Sequence, residues 1–184
     1  QFIMPLVLKL SKFGNHYFAS APERVDPGNS NWDVSNTPRL IGGIDPDSRQ
    51  RALNFYGSFC DSVVEVSSPE IAETAKLLEN TFRQVNIALV TQLHQLTQSL
   101  KIDTFEVIEA AATKPYGFLP FYPSAGVGGH CIPVDPMYLL WKAKQIGVDM
   151  TLINLAQDIN LSRPREIVDK ISEFIDNRNE SILV

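Results

Sequence analysis

The sequence predicts an α/β chain: the closing part of a parallel sheet, followed by a mainly α-helical region. Three observations carry this. Short apolar runs at 39–43 and 62–66 flank a helical stretch at 46–59. Strand, helix, strand in that order is one crossover and implies a parallel pair. From Ser67 onward the pattern changes, and apolar residues recur at Ile71, Ala75, Leu78, Phe82, Val85, Leu89, Leu93, Leu96 and Leu100. Spacings of three and four throughout predict one long helix. Finally, 184 residues with 44% apolar and 20% charged content can bury one good core, or parts of two.

The elements follow in order. Residues 2–12 read as the end of an amphipathic helix, and 17–21 as a short strand ending in Ala21-Pro22-Glu23-Arg24. Asp26, Pro27, Gly28, Asn29, Ser30, Asn31 and Pro38 are turn formers and mark a loop. Three strands are few for an open sheet, so the sheet is expected to lack its first half. Ser67-Ser68-Pro69-Glu70 starts the long helix, with a Ser cap, Pro in the first turn and Glu near the positive end of the dipole. A second helix spans about 104–112, with Asp103 and Glu106 as its capping pair. Residues 114–129 form a loop rich in Pro, Gly and aromatics. A third helix is expected to start at Pro136, with Asp135 as its N-cap, and to stop at Gly147. A fourth spans about 152–160, which 164–176 continues or restarts. Ser181 to Val184 reads as the start of a strand, and the chain opens at Gln1 without Met. Both ends are expected to continue in a longer protein.

Composition narrows the function. A net charge of −5 with scattered basic residues gives no nucleic-acid footprint. Two cysteines far apart argue against a disulfide framework and for a reducing, cytoplasmic compartment. The apolar stretch from Phe2 to Leu8 is interrupted by Pro5, and Lys9 and Lys12 follow it rather than precede it, unlike a signal peptide. No run is long enough to cross a bilayer, so no membrane partner is expected. His16, His94 and His130 have no metal-ligand spacing, and no metal site is expected.

The chemistry concentrates in Gly128-Gly129-His130-Cys131-Ile132-Pro133-Val134-Asp135-Pro136. The glycines let backbone approach a ligand closely. A thiol in such a loop, just before a helix start that favours a thiolate, is set up for covalent chemistry. Cys60, between Phe59 and Val63, reads instead as a small core residue. Asp135 reads as a helix cap, a role compatible with holding a water beside the thiol. Lys76 and Asn80 share a helix face off the apolar stripe. They are either a solvated helix edge or an ammonium and amide suited to an oxyanion. Glu23 and Arg24 end a strand, where parallel sheets place ligands; a solvated ion pair is the alternative. Gly126 to Cys131 nearly mimics a dinucleotide fingerprint. It ends in Cys and does not follow a strand, and the chain holds no other candidate.

Taken together, these segments resemble the nucleotide-sugar 6-dehydrogenases acting on UDP-glucose, GDP-mannose and UDP-N-acetylhexosamines. The resemblance rests on Ala21-Pro22-Glu23-Arg24-Val25-Asp26-Pro27-Gly28-Asn29, Thr37-Pro38-Arg39-Leu40-Ile41-Gly42-Gly43, the helix carrying Lys76 and Asn80, and Gly128 to Pro136. It implies a Rossmann-like NAD-binding domain ending at residue 66, a central helical dimerisation domain over 67–161, and a linker helix into a UDP-sugar domain at 162–184. It implies oxidation of a primary alcohol to a carboxylate with two NAD+. Cys131 would form a thiohemiacetal and then a thioester. Lys76 and Asn80 would stabilise the oxyanion, Asp135 would order the water with Lys76, and Glu23 would be the acid/base group. Arg24, Phe121, Tyr122, Gly128 and His130 would contact the UDP-sugar, and the chain would homodimerise through its central helix. With its NAD fingerprint expected upstream, the isolated chain is expected to be inactive.

Pro-Glu-Arg and Gly-Gly-His-Cys-Ile-Pro are most similar to the branch acting on UDP-N-acetylhexosamines. Val134 stands where the UDP-glucose branch tends to have Lys, and Pro27 where that branch tends to have a second Glu. Ser124-Ala125 replaces a frequent Gly-Pro. UDP-glucose oxidation is the alternative within the class. A helical dimerisation module with an inert Cys131 is the alternative outside it, and slow thiol labelling would mark it. A thiol acyltransferase working without NAD is more distant.

Overall fold

The computed structural model describes residues 3–12, 14–26, 28–173 and 175. It is an α/β chain whose contacts divide it into two compact units, 1–76 and 77–184. Phe13, Pro27, Phe174 and residues 176–184, including the expected strand start at Ser181, lie outside the described residues, as do Gln1 and Phe2.

The first unit is built on a sheet of three strands in the order β1 (Ala19–Ser20), β2 (Arg39–Gly43), β3 (Val63–Val66). β2 and β3 pair in parallel, Arg39 opposite Val63 and Gly42 opposite Val66, as the crossover pattern requires. β1 pairs antiparallel to β2 over two residues, Ala19 opposite Gly43 and Ser20 opposite Gly42. It is shorter than the 17–21 expected from sequence: before it the Phe18 N–H goes to the Ser48 hydroxyl, and beyond it Pro22 has no N–H to donate. β2 is central and wholly buried, with Leu40 and Ile41 in the core. α1 (Ile3–Leu10) precedes the sheet and exposes its apolar side chains.

The crossover helix α2 (Pro46–Tyr56) starts where Asp45 accepts the Ser48 N–H at 2.7 Å. The Ser48 hydroxyl in turn accepts the Phe18 N–H at 3.1 Å, tying the lead into β1 to the helix. α2 ends before the expected Phe59. Short turns close at Ser58 and Phe59 and bring Cys60 into the core, where only 7% of it is exposed. At Gly42 the backbone runs against the next connection: a Cβ there would lie 2.2 Å from the Ser68 carbonyl oxygen.

The long helix α3 (Pro69–Leu100) has the 32 residues that the periodicity predicts, and the Ser68 hydroxyl accepts the Ile71 N–H at its start. Its buried positions are mostly small or polar: Ala72, Thr81, Gln84, Ala88, Thr91 and Thr97, with Val90 the larger apolar exception. The hydroxyls of Thr81 and Thr97 are satisfied by carbonyls four residues back on the same helix. On the apolar stripe, Ile71, Leu78, Phe82, Leu89, Leu96 and Leu100 are exposed in the single chain. α4 (Thr104–Ala112) is capped by Asp103, which accepts from Phe105 and Glu106 N–H groups. Thr104 bonds both His94 and Thr97, fastening α4 to α3.

One boundary needs correction. The third helix, α5 (Cys131–Gln145), starts five residues before Pro136, so Asp135 is not its N-cap. Pro133 falls in the first turn, where a missing N–H leaves no helical bond unmade. Pro136 sits inside the helix and leaves only the Ile132 carbonyl without its usual donor. α5 ends before Gly147, whose φ of +75° lets the Val148 N–H return to the Ala143 carbonyl at 2.9 Å. α6 (Thr151–Glu173) runs unbroken through Pro164. That proline frees the Asn160 carbonyl, and Gly126 of the 113–130 loop approaches it closely; a Cβ at Gly126 would stand 3.1 Å from that oxygen. Among the described residues, no helix is long and apolar enough to cross a membrane.

Candidate active site

In the second unit, Gly128 and Gly129 take consecutive left-handed conformations, φ +57° and +70°. Side chains with a Cβ rarely adopt them. This reversal delivers the chain into α5, with His130 as its cap residue and Cys131 as its first helical residue. His130 makes no side-chain capping bond. The Cys131 thiol is exposed, at a helix end whose unpaired N–H groups favour negative charge.

Asp135 follows one turn later on the same helix, so it shares a face with Cys131. It is half-buried, and its Oδ2 accepts the Asn80 amide N–H at 2.5 Å. The structure thus joins two residues 55 apart in sequence, one helical turn from Cys131. Lys76 lies one turn before Asn80 on α3 and is the last residue of the first unit. Lys76 and Asn80 are both half-buried, which does not fit a freely solvated helix edge.

The loop before Cys131 carries the aromatic candidates. Phe121 meets Phe82 edge-on at 5.6 Å, and Tyr122 stacks on Phe105 at 6.0 Å. A cleft of 470 Å³ is lined by Arg83, Ile87, Phe121, Tyr122, Ser124 and Val127, among others.

Glu23 and Arg24 belong to the first unit. Glu23 Oε1 accepts the Arg24 and Val25 N–H groups at 2.7 and 2.8 Å, while Arg39 Nη2 donates to Oε2 at 2.7 Å. Burial pushes this carboxyl up, but the Arg39 bond and the two amides outweigh it and hold Glu23 below the ordinary carboxylate range. Arg24 Nη1 donates to the Pro38 carbonyl at 2.9 Å.

Sequence reasoning missed the supports of both clusters. From sequence, Arg39 is the start of a strand and part of the family motif, with no role at the site. Behind Cys131, the Gln84 amide donates to Gln157, which donates at 3.4 Å to the Pro133 carbonyl in the first turn of α5. Asn160 Nδ2 donates to the Gln84 carbonyl at 3.0 Å, and Arg163 Nε to the Ser124 carbonyl at 3.3 Å. The available signal was a run of polar residues at helical spacing, Gln84 after Asn80 and Asn160 after Gln157. Among the described residues, no three His, Cys, Asp or Glu side chains gather as metal ligands.

The comparisons with known proteins agree with one another. A UDP-N-acetyl-D-mannosamine dehydrogenase of Methanocaldococcus jannaschii is 37% identical over 167 residues, covering 91% of this chain and 38% of that protein. A UDP-N-acetyl-D-glucosamine 6-dehydrogenase of Pseudomonas aeruginosa is 37% identical over 161 residues, covering 85% and 38%. The solved UDP-D-ManNAc dehydrogenase of Pyrococcus horikoshii superposes with a TM-score of 0.81 at 35% identity, covering 93% of this chain and 40% of that one. The chain therefore spans about two fifths of the length of these relatives. Residues 70–162 match the central domain of the UDP-glucose/GDP-mannose dehydrogenase family, and the chain belongs to that family.

Proposed function

We propose that this chain is the central part of an NAD-dependent dehydrogenase that oxidises the C6 alcohol of a UDP-N-acetylhexosamine to a carboxylate, with Cys131 carrying the acyl group. The observation that carries the reading is the Asn80–Asp135 hydrogen bond one helical turn from an exposed thiol. An amide donor and a carboxylate one turn from a thiol support the making and hydrolysis of a thioester there. The substrate class is supported by the names of the relatives, and by Val134 within the Cys131 motif.

The residues of this chain do not fit a dinucleotide cradle. The glycines at 126–129 precede a helix but follow a loop, whereas such a cradle needs a strand, a tight turn and a helix. NAD+, when bound by the whole enzyme, supplies the acceptor for two hydrides. The steps assigned to this chain are these. Glu23, held ionised by its partners, takes the proton as the alcohol becomes an aldehyde. The Cys131 thiolate adds to the aldehyde carbon, forming a C–S bond and an alkoxide that Lys76 and Asn80 stabilise. Loss of the second hydride leaves a thioester. Asp135 orders the water that attacks it. The C–S bond then breaks, the thiolate leaves, and the carboxylate is released. The balance is one alcohol, one water and two NAD+ giving one carboxylate, two NADH and three protons. Arg24, Phe121, Tyr122, Gly128 and His130 hold the UDP-sugar.

Within the whole enzyme, residues 1–66 form the end of the NAD-binding domain, 67–161 the central domain, and 162–184 the start of the UDP-sugar domain. The enzyme works in the cytoplasm as a homodimer. What supports the dimer is the exposed stripe on α3, continuous with an apolar groove lined by Val85, Leu89, Leu152, Leu155 and Ile159. The test is turnover of UDP-N-acetylglucosamine, UDP-N-acetylmannosamine and UDP-glucose by the full-length protein. Two NADH per carboxylate from an N-acetylated sugar, lost in Cys131→Ala, is the expected result. Preference for UDP-glucose overturns the substrate assignment, and carboxylate formation by Cys131→Ala overturns the mechanism.

A further inference from the structure

We propose that Arg39 is a positioning residue for Glu23: its buried guanidinium fixes the orientation of the Glu23 carboxylate. The proposal rests on the reading of Glu23 as the base of the site. Arg39 opens β2 and is only 4% exposed. Its Nη2 grips Glu23 Oε2 at 2.7 Å while its Nη1 donates to the carbonyl of the preceding Pro22 at 2.9 Å. One rigid fork therefore holds both the side chain and the backbone leading into it. A guanidinium does this because its donors lie in one plane, whereas a lysine is a point charge on a flexible stem. Arg24 laces the same two segments in the opposite direction, through the Pro38 carbonyl. The Tyr56 ring backs the guanidinium, its centroid 5.6 Å from Cζ. With Oε1 held by two amides and Oε2 by Arg39, the carboxylate cannot rotate freely.

Stability alone does not account for the arrangement. The Glu23 side chain is 58% exposed, so water screens its attraction to Arg39. Arg39 Nε is buried without a hydrogen-bond partner, and the Cys60 thiol beside the guanidinium offsets only part of that desolvation cost. A charge kept inside on these terms is explained by what it holds. The exposure of Glu23 also leaves lone pairs open to a substrate proton. The same hydrogen bonds displace its titration downward, which keeps the carboxylate ionised.

The test is a double-mutant cycle in the full-length enzyme, with Glu23→Gln, Arg39→Met and the pair, assayed for kcat, KM and the pH profile. Glu23→Gln is expected to lower kcat at least tenfold. Arg39→Met is expected to lower kcat to a similar extent with KM nearly unchanged, and the double variant to be no slower than Glu23→Gln alone. Arg39→Lys, which keeps the charge without the fork, is expected to recover part of kcat and to move the acidic limb of the profile upward. Where Arg39→Met fails to fold, the cycle runs with Arg39→Lys. Losses that multiply in the double variant overturn the proposal, because Arg39 then acts elsewhere. Full kcat in Glu23→Gln overturns the reading of Glu23 itself, and the proposal with it.

Discussion

Replacing Asp135 by Asn separates packing from chemistry at the candidate site. The carboxylate is half-buried and accepts the Asn80 amide N–H at 2.5 Å. An Asn at this position still offers an oxygen to that amide, so the geometry survives and only the charge goes. Hydrogen bonds to charged groups contribute about 1.5–3 kcal/mol and neutral ones about 0.5–1.5. The difference is about 1 kcal/mol, less after allowance for partial exposure. In a chain of this size that lowers Tm by roughly 2–4 °C. Loss of the carboxylate that orders the hydrolytic water is expected to remove about 10²–10⁴-fold in rate, the range for general acid–base groups. Rapid-mixing absorbance at 340 nm of the full-length Asp135→Asn enzyme is therefore expected to show a burst of two NADH per site, then slow turnover. Both oxidations precede the hydrolysis that stalls. A kcat within twofold of wild type and no burst would refute the role assigned to Asp135.

Three other outcomes follow from the packing and the charges. Gly42→Ala puts a Cβ 2.2 Å from the Ser68 carbonyl oxygen, so backbone must move; a loss of about 1–3 kcal/mol is expected in urea unfolding, and an unchanged midpoint contradicts the close approach. Iodoacetamide is expected to label exposed Cys131 in the native protein, and buried Cys60 only after unfolding; equal labelling of both contradicts the placement of Cys60. The folded pKa of Glu23 lies below its ordinary value of 4.5, so its contribution to stability is fully present above that pH and lost as pH falls through the folded value. Urea midpoints of wild type and Glu23→Gln are expected to converge as pH falls below 4.5, and a constant gap would contradict the Arg39 clamp.

Much of the fold was legible because it rests on local chemistry. The crossover, the 32-residue helix and the Asp103 cap each follow from periodicity or a capping side chain. The start of α5 was not legible. Asp135-Pro136 has the form of a cap and a first helical residue, yet the helix begins at Cys131 and absorbs Pro133 in its first turn. Only the tertiary bond from Asn80 and the support of Gln157 beneath Pro133 reveal that Asp135 looks across to α3. Arg39 was hidden for the same reason: its partners, Pro22 and Glu23, stand 17 and 16 residues away. Cys131, Asn80 and Asp135 could be named from motif form, but their mutual placement depends on packing between helices that spacing does not encode.

The central claim is that Cys131 carries the acyl group between the two oxidations. Acid quench of the full-length enzyme during a single turnover of ¹³C-labelled UDP-N-acetylhexosamine, followed by peptide mass mapping, tests it directly. The account predicts the labelled acyl mass on the peptide containing Cys131, removed by hydroxylamine as a thioester. Carboxylate formation with no label on Cys131, or with label on another residue, would contradict it.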